Sequence, residues 1–264
     1  MAKVMIGVPM HKGEVCAQTM NSVFIAASKK HKMNFQLLGL SLLAKNFNLL
    51  FINAIRMGYD YFILHHSDLG IFGKISRANN ESWLDTMIER SDQQKVSALS
   101  VVSPIKSPTG LTSSGLEMIA GDPWSLRRLT IKELERLPNT EITRDQVCKL
   151  FSADPSKAGA LLVNTGILLM DIRNGGGVWR EKKWPGFHIY DEIVWNTKGV
   201  PESFTIPEDW NMSSWCHENG VRFNCTKELL LTHVGGQNFN NHGAWGDETD
   251  GPRQQMNPRE YELT

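Results

Sequence analysis

No two cysteines in this chain are spaced to grip a metal or to close a small loop. Cys16, Cys148, Cys216 and Cys225 are scattered through 264 residues without a CxxC pair. That excludes a zinc-finger or disulfide-stapled scaffold and leaves reduced thiols as the expected state, which suits a cytoplasmic setting. Net charge is missing as well: 28 basic residues balance 28 acidic ones. A generic nucleic-acid binder is therefore not expected, although a local basic groove for a nucleic acid escapes a net count and stays open. No stretch approaches the ~20 apolar residues of a membrane-spanning helix, so no transmembrane segment is expected. The opening apolar run Val4 to Val8 is too short for a signal peptide and breaks at Pro9. Internal repeats and domain linkers are absent too. One α/β domain is expected over residues 1–236, followed by a polar, Asn- and Gly-rich tail over 237–264.

What the chain does have is alternation. Val4 to Val8 reads as a strand, Val15 to Ala27 as a helix, and Phe35 to Leu40 as a second strand. Ser41 is placed to cap a helix carrying Leu42, Leu43, Phe47, Leu50, Phe51 and Ile55, and Gly58 suits its left-handed end. Tyr59 to Leu64 follows as an apolar, aromatic-rich strand, after which Leu69 to Gly73 is expected to turn the chain away. Strand–helix–strand order implies right-handed crossovers and a mostly parallel central sheet flanked by helices. Further on, Trp83 to Ile88 reads as helix, Val96 to Val102 as strand, Pro104 to Gly121 as a long surface loop and Asn139 to Asp154 as a mixed connector. Ala160 to Asp171 is a strand interrupted by Asn164-Thr165-Gly166, and Asn174-Gly175-Gly176-Gly177 a break. Pro207 to Asn219 is a helix and Leu229 to Gly236 a last strand.

The chemistry gathers at one strand end. His65, His66, Ser67 and Asp68 follow the Tyr59–Leu64 run. Ligands of open α/β sheets bind at the carboxyl ends of strands, so two imidazoles and a carboxylate there are candidates for chemistry. A carboxylate that merely caps the following turn is the plainer account of Asp68.

In order along the chain, several segments resemble the GT-A class of nucleotide-sugar glycosyltransferases, and within it the inverting family 2-like group. Gly58-Tyr59-Asp60-Tyr61-Phe62-Ile63-Leu64-His65-His66-Ser67-Asp68 is similar to the strand that ends in that class's acidic DxD motif, with His66 standing where the first aspartate belongs. Asn164-Thr165-Gly166-Ile167-Leu168-Leu169-Met170-Asp171 resembles the NTGxxLxD strand of the sugar pocket. Pro207-Glu208-Asp209-Trp210-Asn211-Met212-Ser213 resembles the xEDxxxS helix start, and Leu231-Thr232-His233-Val234-Gly235 the downstream xxxHxG strand end. Ser41 to Asn48 is similar to the class's donor-side helix start.

The resemblance implies a GT-A, Rossmann-like domain that transfers a sugar from a UDP- or GDP-linked donor to a hydroxyl of a saccharide or other acceptor. It implies Mn²⁺ or Mg²⁺ on the donor diphosphate, held by Asp68 and His233 with His66 as a third candidate. Asp209 is then the general base of an inverting transfer and Glu208 its neighbour on the acceptor side. Acidic residues in a helix's first turn are also favoured by the macrodipole alone, and His233 taken alone reads as a core histidine. Donor contacts are expected from Pro9, Lys45, Asn48, His66, Ser67, Asn164, Thr165 and Gly166, although Lys45 equally suits a solvated helix face. Trp210 is expected to offer a platform for a sugar ring. Lys106, Arg127 and Arg128 are cations near the long loop that could reach phosphates or an anionic acceptor, with surface solvation the plainer account. The alternatives are a nucleotidyltransferase on a related fold, a catalytically degenerate carbohydrate- or nucleotide-binding protein, and a zinc hydrolase using His65, His66, Asp68 and His233.

Overall fold

The computed structural model describes residues 1–10, 13–75, 81–122, 125–195 and 198–246. The first half runs β1 (Lys3–Pro9), α1 (Ala17–Ile25), β2 (Lys32–Leu38), α2 (Leu43–Arg56), β3 (Tyr61–His65), β4 (Leu69–Lys74), α3 (Trp83–Gln94) and β5 (Ala98–Val101). Then come β6 (Leu111–Glu117), β7 (Leu126–Thr130), α4 (Ile131–Leu134), α5 (Arg144–Phe151), β8 (Leu161–Leu162), β9 (Ile167–Asp171) and α6 (Arg173–Glu181). The chain closes with β10 (Tyr190–Trp195), β11 (Pro201–Ile206), α7 (Glu208–Glu218), β12 (Phe223–Thr226), β13 (Leu229–Val234) and β14 (Asn238–Asn240).

Six strands form the central sheet in the order β12-β5-β9-β3-β1-β2. β2, β1 and β3 are parallel, as are β5 and β12, while β9 runs antiparallel to both its neighbours. The sheet is thus mostly parallel, and its central strands are buried on both faces. Alternate residues of each strand enter opposite cores: Ile63 and Leu169 join Val4 and Ile6 beneath α1 and α3, whereas Phe62 and Leu168 join Phe47 and Leu50 of α2. Two three-stranded sheets complete the fold, β14-β13-β4 and β7-β6-β8, with a β10-β11 hairpin beside them.

Several elements depart from the sequence reading. Leu69 to Gly73 does not turn away; it forms β4, which pairs with β13. The segment expected as a surface loop over 104–121 contains β6, whose Thr112 and Ser114 are buried and hydrogen-bonded rather than solvated. The connector over 139–154 holds α5, capped by Thr143 with Gln146 closing a capping box. Ser41 does not cap α2; Leu42 takes that position without a side-chain bond. The break at 174–177 is present, with all four residues at positive φ inside α6. The domain also extends past the boundary at 236: β14 pairs with β13, and the Asn241 amide bonds Leu231 N–H and the Leu229 and Val102 carbonyls. Of the tail read over 237–264, residues 247–264 lie outside the described ones.

Candidate functional site

β3 carries the chain to the carboxyl edge of the sheet, and its last residue is locked in the core. His65 is fully buried; its Nδ1 faces the His66 carbonyl at 2.9 Å and must donate to it. Nε2 therefore accepts from the Ser22 hydroxyl at 2.8 Å. Burial holds its pKa down at about 4. Both ring nitrogens are committed, which removes His65 from any metal site and with it the four-ligand zinc arrangement.

Asp68 and His233 lie together. β4 and β13 pair with Leu69 opposite His233, and Val234 N–H donates to the Asp68 carbonyl at 2.8 Å. This register brings His233 Nε2 to 3.4 Å from Asp68 Oδ2. His233 Nδ1 donates to the Pro104 carbonyl at 2.8 Å, so in the neutral ring Nε2 turns its lone pair toward the carboxylate. Two electron-rich atoms so placed call for a positive centre, either a proton on Nε2 or a cation between them. Lys106 supplies one positive charge already, with Nζ 2.5 Å from the same Oδ2. Burial opposes ionisation of Asp68, yet the hydrogen bond from Lys106, and that from His233 when Nε2 carries a proton, outweigh it and hold the carboxyl well below the ordinary range.

The Asn164-Thr165-Gly166 kink divides its labour. Asn164 faces inward: its amide donates to the Val101 carbonyl at 2.9 Å and its oxygen accepts Gly166 N–H at 2.9 Å. Gly166 carries the carbonyl that accepts His66 N–H at 2.8 Å, and a Cβ there would stand 2.5 Å from Leu69 Cδ1. Only Thr165 turns its side chain to the site. Its hydroxyl donates to Glu208 Oε1 at 3.5 Å and lies 3.3 Å from His66 Nε2. With its one proton on Glu208, Thr165 accepts from His66, leaving the His66 lone pair on Nδ1. Burial lowers the His66 pKa to about 4, so the ring is neutral near pH 7 and offers a ligand or a hydrogen bond, but no charge.

At the start of α7, burial and then the neighbouring Glu208 carboxyl raise the Asp209 pKa to about 8, against the Trp210 N–H (2.8 Å to Oδ1) and the nearby Arg128. Glu208 is buried and its pKa is also raised by desolvation. Ser213 ties this turn to the kink segment, donating to the Asp209 carbonyl at 2.8 Å and accepting Val163 N–H at 3.1 Å. Trp210 is not the platform expected from the sequence. Its ring is 3% exposed and covered by the Arg128 guanidinium at 4.3 Å, and its indole N–H bonds the Ser113 carbonyl at 3.2 Å.

The donor-side residues are less concentrated. Pro9 ends β1 at the same sheet edge as His65. Asn48 is fully used elsewhere, its amide clamping Phe187 N–H and C=O at 2.7 Å each. Lys45 is exposed on α2, and the Ser67 carbonyl accepts Cys16 N–H at 2.8 Å. From the sequence Lys106 and Arg128 are cations near the long loop, within reach of phosphates or an anionic acceptor; the fold sets one on Asp68 and the other beside Asp209.

No group of three or more His, Cys, Asp or Glu side chains able to hold a metal occurs among the described residues. Asp68 and His233 nonetheless fit a divalent ion as a pair. Ligands about 2.1 Å from such an ion lie about 3 Å apart along a polyhedron edge, close to the separation here, and the His233 Nδ1–H bond to a carbonyl is the usual support of a ligating imidazole. A cavity of about 300 Å³ lined by Arg144, His217 and Asn224 lies at the opposite edge of the sheet, near the start of β12, and contributes none of these groups.

No protein-family model matches the chain, and no curated protein does. Among solved structures it is similar to the crystal structure of A197 from STIV, at 12% identity over 88% of this chain and 86% of that one, with a TM-score of 0.46. A likeness of that size bears on neither family nor function. The site rests on its own geometry.

Proposed function

We propose that this protein is a metal-assisted glycosyltransferase of the GT-A class, moving a sugar from a UDP- or GDP-linked donor to an acceptor hydroxyl with inversion. The supporting observation is the meeting of Asp68 and His233 at the carboxyl edge of the sheet, joined by the His66–Thr165–Glu208 line that leads to Asp209. A diphosphate leaving group concentrates negative charge, and a bound Mn²⁺ or Mg²⁺ neutralises it. Asp68 and His233 would hold that ion, with donor oxygens and water completing its shell as is usual for magnesium. His66 adds a neutral imidazole beside them. Asp209 takes the proton of the acceptor hydroxyl as its oxygen attacks the anomeric carbon and the bond to the diphosphate breaks. A carboxyl with a pKa of about 8 binds a proton far more firmly than an ordinary aspartate, which suits it to that step. Glu208, hydrogen-bonded to Thr165, orients the turn that carries Asp209.

Free cysteines favour a reducing, cytoplasmic setting, and no helix among the described residues is long and apolar enough to cross a membrane. The reading is tested by calorimetric titration with UDP- and GDP-hexoses, with and without Mn²⁺, followed by assay of donor hydrolysis. Metal-dependent binding with slow release of the nucleoside diphosphate supports it. Indifference to every nucleotide sugar overturns it, and pyrophosphate release from a nucleoside triphosphate and a sugar phosphate would identify a nucleotidyltransferase instead.

A further inference from the structure

Two elements far apart in sequence cooperate to seat an ammonium group on Asp68. Lys106 lies between Pro104, whose carbonyl orients His233, and β6. Its methylene stem crosses Gly235, just past β13, where a Cβ would stand 3.2 Å from Lys106 Cδ. The ammonium then reaches Asp68 Oδ2, the same oxygen that His233 Nε2 approaches at 3.4 Å. This packing leaves the lysine head on the face of the carboxylate that a divalent ion would use. One carboxylate oxygen offers its charge either to a metal or to an ammonium at full strength, and the two cations repel each other at that range.

We propose that Lys106 is an internal counter-ion which the divalent cation displaces from Asp68, and whose freed ammonium then binds the donor diphosphate. The inference rests on the function proposed above and goes one step further. In the resting protein Lys106 neutralises Asp68; when metal arrives, the flexible head moves while its stem stays packed over Gly235. The lysine thereby couples metal entry to the appearance of a phosphate-binding charge. A lysine suits this better than an arginine because its single charged head on a flexible stem can move without breaking a bidentate fork.

The decisive experiment titrates Mn²⁺ into the full-length protein without nucleotide, comparing wild type with Lys106→Met, Lys106→Arg and Asp68→Asn. Methionine preserves the stem over Gly235, and equal melting temperatures confirm that the variants fold. Lys106→Met is expected to bind Mn²⁺ about fivefold more tightly than wild type, the size of a half-exposed ion pair that no longer has to be broken. Lys106→Arg is expected to match wild type or bind more weakly, and Asp68→Asn to lose the ion. Magnesium pyrophosphate, the donor's charged part alone, should bind Lys106→Met several-fold more weakly than wild type. Unchanged or weaker Mn²⁺ affinity in Lys106→Met, with wild type binding normally, overturns the displacement and leaves the transferase reading intact. Failure of wild type and Lys106→Met alike to bind Mn²⁺ overturns both.

Discussion

A pH profile gives the sharpest view of whether Asp209 is the base. Its carboxyl is half-buried in the first turn of α7, and burial together with the Glu208 carboxyl lifts its pKa to about 8. Only about a tenth of such groups are ionised near pH 7 and about nine-tenths near pH 9, so kcat/KM should climb about tenfold across that interval. The assay is initial-rate hydrolysis of UDP- and GDP-hexoses at saturating Mn²⁺, with transfer substituted once an acceptor is found. Glu208→Gln removes the neighbouring carboxyl and should move the inflection to lower pH. Arg128→Met removes a positive neighbour of Asp209 and should move it to higher pH. Asp209→Asn should leave the melting temperature close to wild type and abolish the pH-dependent rise. Stability supplies an independent check of sign. The folded state holds the Asp209 proton more tightly than the unfolded chain, whose carboxyl titrates near 3.8, so this group makes stability fall as pH rises from about 4 to about 8. A flat rate profile in wild type, or one that Glu208→Gln leaves in place, would refute the reasoning.

Three further outcomes test how the site is held. Gly166→Ala pushes a Cβ to within 2.5 Å of Leu69 Cδ1 and 2.8 Å of Asn164 Oδ1; overpacking of this kind costs ~1–3 kcal/mol, and calorimetry should show a melting point lower by several degrees. Asn48→Ala strips two hydrogen bonds from the Phe187 backbone and should cost about 2 kcal/mol in urea unfolding, while Mn²⁺ affinity stays at the wild-type value; a parallel loss of metal would place Asn48 in the site. Arg90→Ala leaves the Glu228 carboxylate, 4% exposed, without its bidentate partner. Denaturation should register a loss of about 3 kcal/mol, part of which Glu228→Gln in the same chain restores.

Much of the sheet was legible because its strands are locally self-declaring. β1, β3 and β9 are apolar runs buried on both faces, and such strands need only flanking glycine and proline to be seen. Helices α1 and α2 follow from apolar spacing, and α7 from its Pro207 start and Gly220 end. The polar motifs at residues 66–68, 164–166, 208–209 and 233 lie far apart in sequence, and the fold brings them to one edge of the sheet. β4 and β6 were not legible. β4 contains Gly70, required because α1 presses so close that a Cβ would meet Gln18 Cβ at 2.6 Å, and its strand character comes from β13, far along the chain. β6 is rich in hydroxyls whose partners, such as the Leu129 carbonyl for Thr112, exist only after folding.

By itself, then, the amino-acid order determined which segments are strands and helices wherever burial on one or two faces writes a period into the residues, and it showed which side chains are capable of ligation or proton transfer. Direction, partnership and protonation were decided in three dimensions. No local pattern says that β9 runs against its neighbours, that His65 is sealed while His66 is not, that Trp210 is roofed by Arg128, or that Lys106 reaches Asp68. Each of those depends on an atom contributed from elsewhere in the chain, and hydrogen bonds, desolvation and charge pairing act on distances in space, not on separations in sequence.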